Sequence, residues 1–168
     1  MSMIGNFLRV SNDELNKYLD DSTLLEDRVY SESSDLNDPN LIDIDKTWDG
    51  ILYLLTGNTL DEIDSADPTL SSIIIGKNTL DENQDMGYGP ANYNTAEEVK
   101  EIAKILDAIP SSKLKEKFDP KKMMELEIYP TMWDEPNVFE YVEDYYEKLR
   151  DFHKTAAKNN QAVLTFVN

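Results

Sequence analysis

"QAVLTFVN" (Gln161–Asn168) decides how the rest of this chain is read. It is apolar on both alternations, so it predicts a strand that needs cover on both faces. At the other end, "IGNFLRV" (Ile4–Val10) is also strand-like and stops at Ser11-Asn12-Asp13-Glu14. That Ser-x-x-Glu capping box predicts a helix through Asp20. Most of the intervening signal is helical. The expected fold is therefore α+β: one domain over 1–168, mostly helical, with a small sheet formed by strands near the N- and C-termini.

The helical readings follow from spacing. "DIDKTWDGILYLLTG" (Asp43–Gly57) places Trp48, Ile51, Leu52 and Leu55 three and four apart, with Gly57 at a helix C-cap position. Gly50 falls inside this helix, where glycine costs about 1 kcal/mol relative to alanine, so close packing on its backbone is expected. In "DPTLSSIIIG" the Asp67 cap, Pro68 and Gly76 spell a short helix, although Ile73 to Ile75 prefer a strand. Thr95-Ala96-Glu97-Glu98 is a second capping box, followed by the stripe Val99, Ile102, Ala103 and Leu106 up to Pro110. Asp119-Pro120 starts another short helix. The longest helix is expected from Asn137, capped with Glu140, with Val138, Tyr141, Val142, Tyr145, Leu149, Phe152 and Ala156 facing inward. From Ser22 to Asp43 the pattern is weak, and "SESSDLNDPN" (Ser31–Asn40) reads as an exposed loop. "NTLDE" occurs at Asn58–Glu62 and Asn78–Glu82 and reads as two similar turns after helices.

Composition narrows the function classes. A chain of 168 residues, 40% hydrophobic and 30% charged, suits one soluble core, with no apolar run near the roughly 18 residues of a membrane span. No membrane partner is expected. The N-terminus lacks the basic, apolar and small-residue segments of an export leader, so the cytoplasm is the expected location. The absence of cysteine removes disulfides, thiolate metal sites and a cysteine nucleophile. The net charge of -18 includes eleven acids between residues 11 and 45, against only Lys17 and Arg28. Such a field repels nucleic acid and favours a basic protein partner.

No reaction is specified by these residues, and the reading leans away from an enzyme. "GYGPAN" (Gly87–Asn92) resembles a phosphate-cradling loop only superficially. The third glycine is missing at Asn92, Pro90 has no N–H, and Glu97 and Glu98 would oppose an anion at the next helix start. It reads as a rigid turn with Tyr88 and Tyr93 packed on the body, and no cofactor is expected. Asp43 and Asp45 are too few for a metal site, and one or the other reads as the N-cap of the Trp48 helix. The lone His153, next to Phe152, reads as a boundary residue rather than a general base. Large amphipathic aromatics stand at element edges: Trp48, Tyr53, Tyr88, Tyr93, Tyr129 and Trp133. Such residues suit pocket walls and interfaces as well as ordinary core.

Together "DIDKTWDGILYLLTG", "GYGPANY", "IYPTMWD" and the terminal "YYEKLRDFHKTAAKNNQAVLTFV" resemble the YfbM-like bacterial proteins, a domain family of unknown function, over essentially the whole chain. The resemblance implies an α+β domain and no particular activity. The matching positions are Asp43, Asp45, Lys46, Trp48 and Gly50, then Gly87 to Ala91 with Tyr93, then Tyr129, Pro130 and Trp133. Asp49 and Asn92 depart from the family pattern, which there more often carries histidine and a basic residue.

Two functional readings stand. One is a non-enzymatic interaction protein whose acidic surface masks a basic partner, of which an immunity-type inhibitor is one version. The alternative is a small-molecule binder or hydrolase with a pocket between the Gly-Tyr-Gly-Pro turn and the Trp48 helix. The candidate pocket or interface residues are Asp45, Lys46, Trp48, Tyr53, Tyr88, Gly89, Tyr93, Tyr129, Trp133 and Asp134.

Overall fold

A computed structural model of the chain describes residues 1–34 and 37–168. The terminal strands do pair. β1 (Gly5–Val10) runs antiparallel to β5 (Ala162–Val167) through six residue pairs, from Gly5 opposite Val167 to Val10 opposite Ala162. Three short strands, β2 (Leu41–Asp43), β3 (Asn78–Thr79) and β4 (Asn92–Asn94), extend this pair to an antiparallel sheet in the order β2-β1-β5-β4-β3. β5 thus has β1 on one edge and β4 on the other.

Both faces of β5 are covered. Ala162, Leu164 and Phe166 join Leu8 and Val10 in a core closed by Leu15 and Tyr18 of α1 (Asn12–Asp20) and Leu25 of α2 (Thr23–Tyr30). Val163 and Phe7 face the larger core. That core is built from α3 (Trp48–Thr56), α4 (Pro68–Ile75), α5 (Ala96–Ala108), α6 (Ser111–Lys117), α7 (Pro120–Glu125) and α8 (Val138–Lys158).

The caps explain most boundaries. Ser11 and Glu14 form the reciprocal capping box of α1, and Asp67 accepts the N–H groups of Thr69 and Leu70 to start α4. Thr95 accepts from the Glu98 N–H and Asp119 from the Lys122 N–H. Gly57 ends α3 with φ 74°. The predicted close approach at Gly50 is the Trp133 ring, which a Cβ on residue 50 would strike.

Other expectations are corrected. α2 and α6 were not legible because each buries one residue fully, Leu25 and Leu114, leaving little periodic signal. Of the Ser31–Asn40 loop, Asp35 and Leu36 lie outside the described residues, and the others carry no helix or strand. Asn137 makes no side-chain cap for α8; it adopts a left-handed φ of 60° instead. Tyr141 and Tyr145 are only half-buried, whereas Phe139, Tyr146 and His153 take the interior positions. The two "NTLDE" copies also differ. The first leads into a 3-10 turn over Leu60–Ser65 with Leu60 exposed, while the second starts on β3 with Leu80 buried. Among the described residues, no helix is long and apolar enough to cross a membrane.

His153 is fully buried rather than at the boundary. Its Nδ1 lies 3.0 Å from the Leu149 carbonyl oxygen, its ring edges against Phe7 and Phe152, and its Nε2 has no hydrogen-bond partner among the described residues. Loss of hydration holds its pKa down to about 4.

Two stability measurements follow from this core. Gly50→Ala should lower stability by about 1–3 kcal/mol despite alanine's better helix propensity, because the added methyl overpacks against Trp133. Urea unfolding measures this, and the penalty should shrink in a Trp133→Phe background. For His153, the folded pKa lies below the unfolded value near 6.5, so the unfolded chain binds the extra proton. Stability from this group is intact above pH 6.5 and is lost as pH falls toward 4, by about 3 kcal/mol in total. The stability difference between the wild type and His153→Leu should change by that amount over this window. A constant difference would exclude a buried neutral imidazole.

Candidate functional site

The glycine turn is built by consuming its own donors. Asp85 Oδ1 accepts the N–H groups of Gly87 at 2.9 Å and Gly89 at 3.3 Å, and the Met86 N–H reaches the Gly89 carbonyl at 2.7 Å. The Tyr88 N–H donates to the Val167 carbonyl at 3.1 Å, which docks the turn on β5. Gly87 and Gly89 have φ values of 133° and 97°, and a Cβ on Gly87 would stand 2.8 Å from Asn168 Cα. Only glycine fits the first position without strain or collision. These donors are spent on the turn, which leaves no cradle for phosphate.

Tyr88 itself is not packed away; it is 47% exposed. It shares a groove of about 220 Å³ with Trp48, and Met3, Leu60, Pro90 and Val167 complete most of the wall. Beneath it, the Asn92 side chain donates to the Ile75 carbonyl and the Thr165 hydroxyl to the Ile74 carbonyl, both at 2.7 Å. Among the described residues, no carboxylate or imidazole lines this groove. It suits an apolar or aromatic group.

Trp48 is held from behind. Its Nε1–H donates to the Met3 carbonyl at 3.1 Å, and the Met3 N–H donates to the Tyr129 hydroxyl at 2.9 Å. The Trp48 and Tyr129 rings lie 5.9 Å apart at 31°. Both aromatics therefore grip one residue of backbone just before β1. Buried Asp49 accepts the Tyr129 N–H at 2.9 Å, and its carboxyl pKa is raised by burial, which this hydrogen bond partly offsets.

The remaining candidates lie elsewhere. Neither Asp43 nor Asp45 caps α3, whose start has no side-chain cap bond. Asp43 Oδ1 instead accepts the Asp45 N–H at 3.0 Å, while Asp45 Oδ2 accepts the Tyr141 hydroxyl at 2.6 Å. Burial, then the neighbouring Asp45 charge, raises the Tyr141 pKa. Among the described residues, no group of three or more His, Cys, Asp or Glu side chains is placed to hold a metal. Lys46 and Tyr53 are half-buried, in the turn before α3 and within it. Tyr93 packs into the opposite core, beside Leu164. Trp133 is fully buried with its Nε1–H on the Ile128 carbonyl at 2.7 Å, and Trp133 and exposed Asp134 border a separate groove of about 870 Å³.

Thus, of the predicted set, Trp48 and Tyr88 share one groove, with Tyr129 supporting the former, while Trp133 and Asp134 border another. Met3 and Leu60 were missed as wall residues. A lone apolar residue in a loop carries no sequence signal of this kind.

Comparisons with known proteins agree with this architecture. The family described as "Domain of unknown function (DUF1877)" matches residues 1–166. Protein YfbM of Escherichia coli (strain K12) is 31% identical over 134 residues, covering 77% of this chain and 74% of that protein. The crystal structure of YfbM, a protein of unknown function from Escherichia coli, superposes with a TM-score of 0.76 at 23% identity, covering 98% of this chain and 99% of that one. The fold and the sequence together place this chain in the DUF1877 family.

Proposed function

We propose that this is a non-enzymatic interaction protein whose α1–α2 face docks a basic protein partner. The carrying observation is that Leu19, Leu24 and Tyr30, all 42% exposed or more, lie on these two helices among exposed Asp13, Asp20, Asp21 and Asp27. Solvated acids alone need no partner, and single exposed leucines are ordinary. Their combination on one helix pair suits a partner that is basic at its rim and apolar at its centre. The two cations of this helix pair, exposed Lys17 and Arg28, are outnumbered by its acids, and Arg28 is already held by Asp38 at 3.0 Å and Glu14 at 3.4 Å. Charge over the whole chain leans the same way, with twenty-one acids against five cations before residue 100 and thirteen against eleven from residue 100 onward.

A second reading rests on the Trp48–Tyr88 groove, which would hold a small apolar or aromatic ligand.

Affinity capture from the native lysate tests the first reading. At about 50 mM salt the wild type should retain a basic protein, and about 500 mM salt should release it as screening shortens to a few ångströms. The charge reversal Asp20→Lys/Asp21→Lys/Asp27→Lys should abolish capture, and Leu19→Ser/Leu24→Ser should weaken it at least tenfold. If no basic protein depends on these residues, the interaction reading is wrong.

A further inference from the structure

The cations of this acidic chain are not scattered evenly. Lys100 and Lys104 on α5 and Arg150 and Lys154 on α8 line one groove of about 460 Å³ where the two helices pack together. Each pair is four residues apart, about 6 Å along its helix, so two short rows of positive charge border the groove. Ala103 and Ala157 lie between them and leave the space open.

The charges differ in their freedom. Arg150 is held by its Nε–H on the Leu106 carbonyl at 2.9 Å and by Nη1 against Glu147 at 2.8 Å. Lys100 pairs with the exposed Glu97 at 3.0 Å. Lys104 and Lys154 are exposed and make no ion pair among the described residues. Two acids, Asp107 and Asp151, also line the groove, so the lining itself carries four cations against two acids, with Glu97 and Glu147 outside it as the partners of Lys100 and Arg150.

We infer that this groove binds a small polyanion, a molecule carrying two or more phosphate groups. A fixed guanidinium flanked by mobile ammonium groups supplies charge-assisted donors on both walls. The size limit follows from screening. At physiological salt, fields fade over about 8 Å, so a small ligand inside the groove feels the local cations. An extended polyanion such as nucleic acid or an acidic protein would also meet the field of a molecule at -18.

Calorimetric titration in metal-free buffer tests the inference with inorganic tripolyphosphate, orthophosphate, citrate and a poly-glutamate peptide. Tripolyphosphate should bind at least tenfold more tightly than each of the others. Lys104→Glu/Lys154→Glu should weaken it at least tenfold. Lys121→Glu/Lys122→Glu, the same charge change on α7, should leave it within twofold. In the unmodified protein, tripolyphosphate should shift backbone amide resonances of residues 100–107 and 147–157. Absent heat, equal losses in both variants, tighter binding of citrate or the peptide, or resonance shifts confined to other elements would each overturn the assignment.

Discussion

The burial of β5 on both faces is the constraint from which the rest of the fold follows. Its even-numbered residues enter one core and Val163 enters the other, so neither side can be left to water. Its backbone is paired on both edges, which allows an apolar strand to sit in the centre without orphaned polar groups. Helices must then close both faces, with α1 and α2 on one and the larger helical set on the other. The pairing also joins the two ends of the sequence, with hydrogen bonds between Ile4 and Asn168 in both directions at 2.8 and 3.1 Å. Contacts of such sequence separation form only after a large loss of chain entropy, so the central strand pair depends on nearly the whole chain.

Several large aromatics secure this arrangement. Trp48, Trp133 and Tyr146 each donate to a main-chain carbonyl, of Met3, Ile128 and Ile109 respectively, while their rings fill the larger core. A buried indole or phenol needs such a partner, and the backbone supplies it at each site. The interior is thereby tied to loops that lack regular structure. On the surface, exposed Asp13, Asp20, Asp21 and Asp27 mark the α1–α2 pair, while Lys100, Lys104, Arg150 and Lys154 line the groove between α5 and α8.

The pentapeptide "NTLDE" shows where local reading fails. In its first copy Leu60 stands exposed beside the Trp48–Tyr88 groove, and in its second Leu80 is buried among Met86, Ala91 and Leu164. The difference comes from the neighbours. Asn78 lies opposite Tyr93 at the sheet edge, whereas the first copy pairs with no strand among the described residues and winds into a 3-10 turn. Five residues cannot encode that choice. A similar limit applies to α8, where an ideal stripe favours Tyr141 and Tyr145, but packing against other elements selects Phe139, Tyr146 and His153.

The sequence by itself determined the features whose causes are local. The capping box of α1, the Asp67 cap of α4, the Gly57 stop and the two-faced apolarity of β5 all act within a few residues, so they were legible before any fold was known. Gly50 was legible as a point of close contact because a glycine inside a helix needs a reason, but not the identity of Trp133 as the neighbour. Only the tertiary structure decided which aromatics share a cavity. Trp48 and Tyr88 meet because the glycine turn docks on β5, while Tyr93, five residues further on, faces the opposite core. It likewise decided that two lysines and two further cations, separated by nearly fifty residues of sequence, face one groove. Side-chain chemistry is written residue by residue, but convergence on one site depends on how distant segments pack.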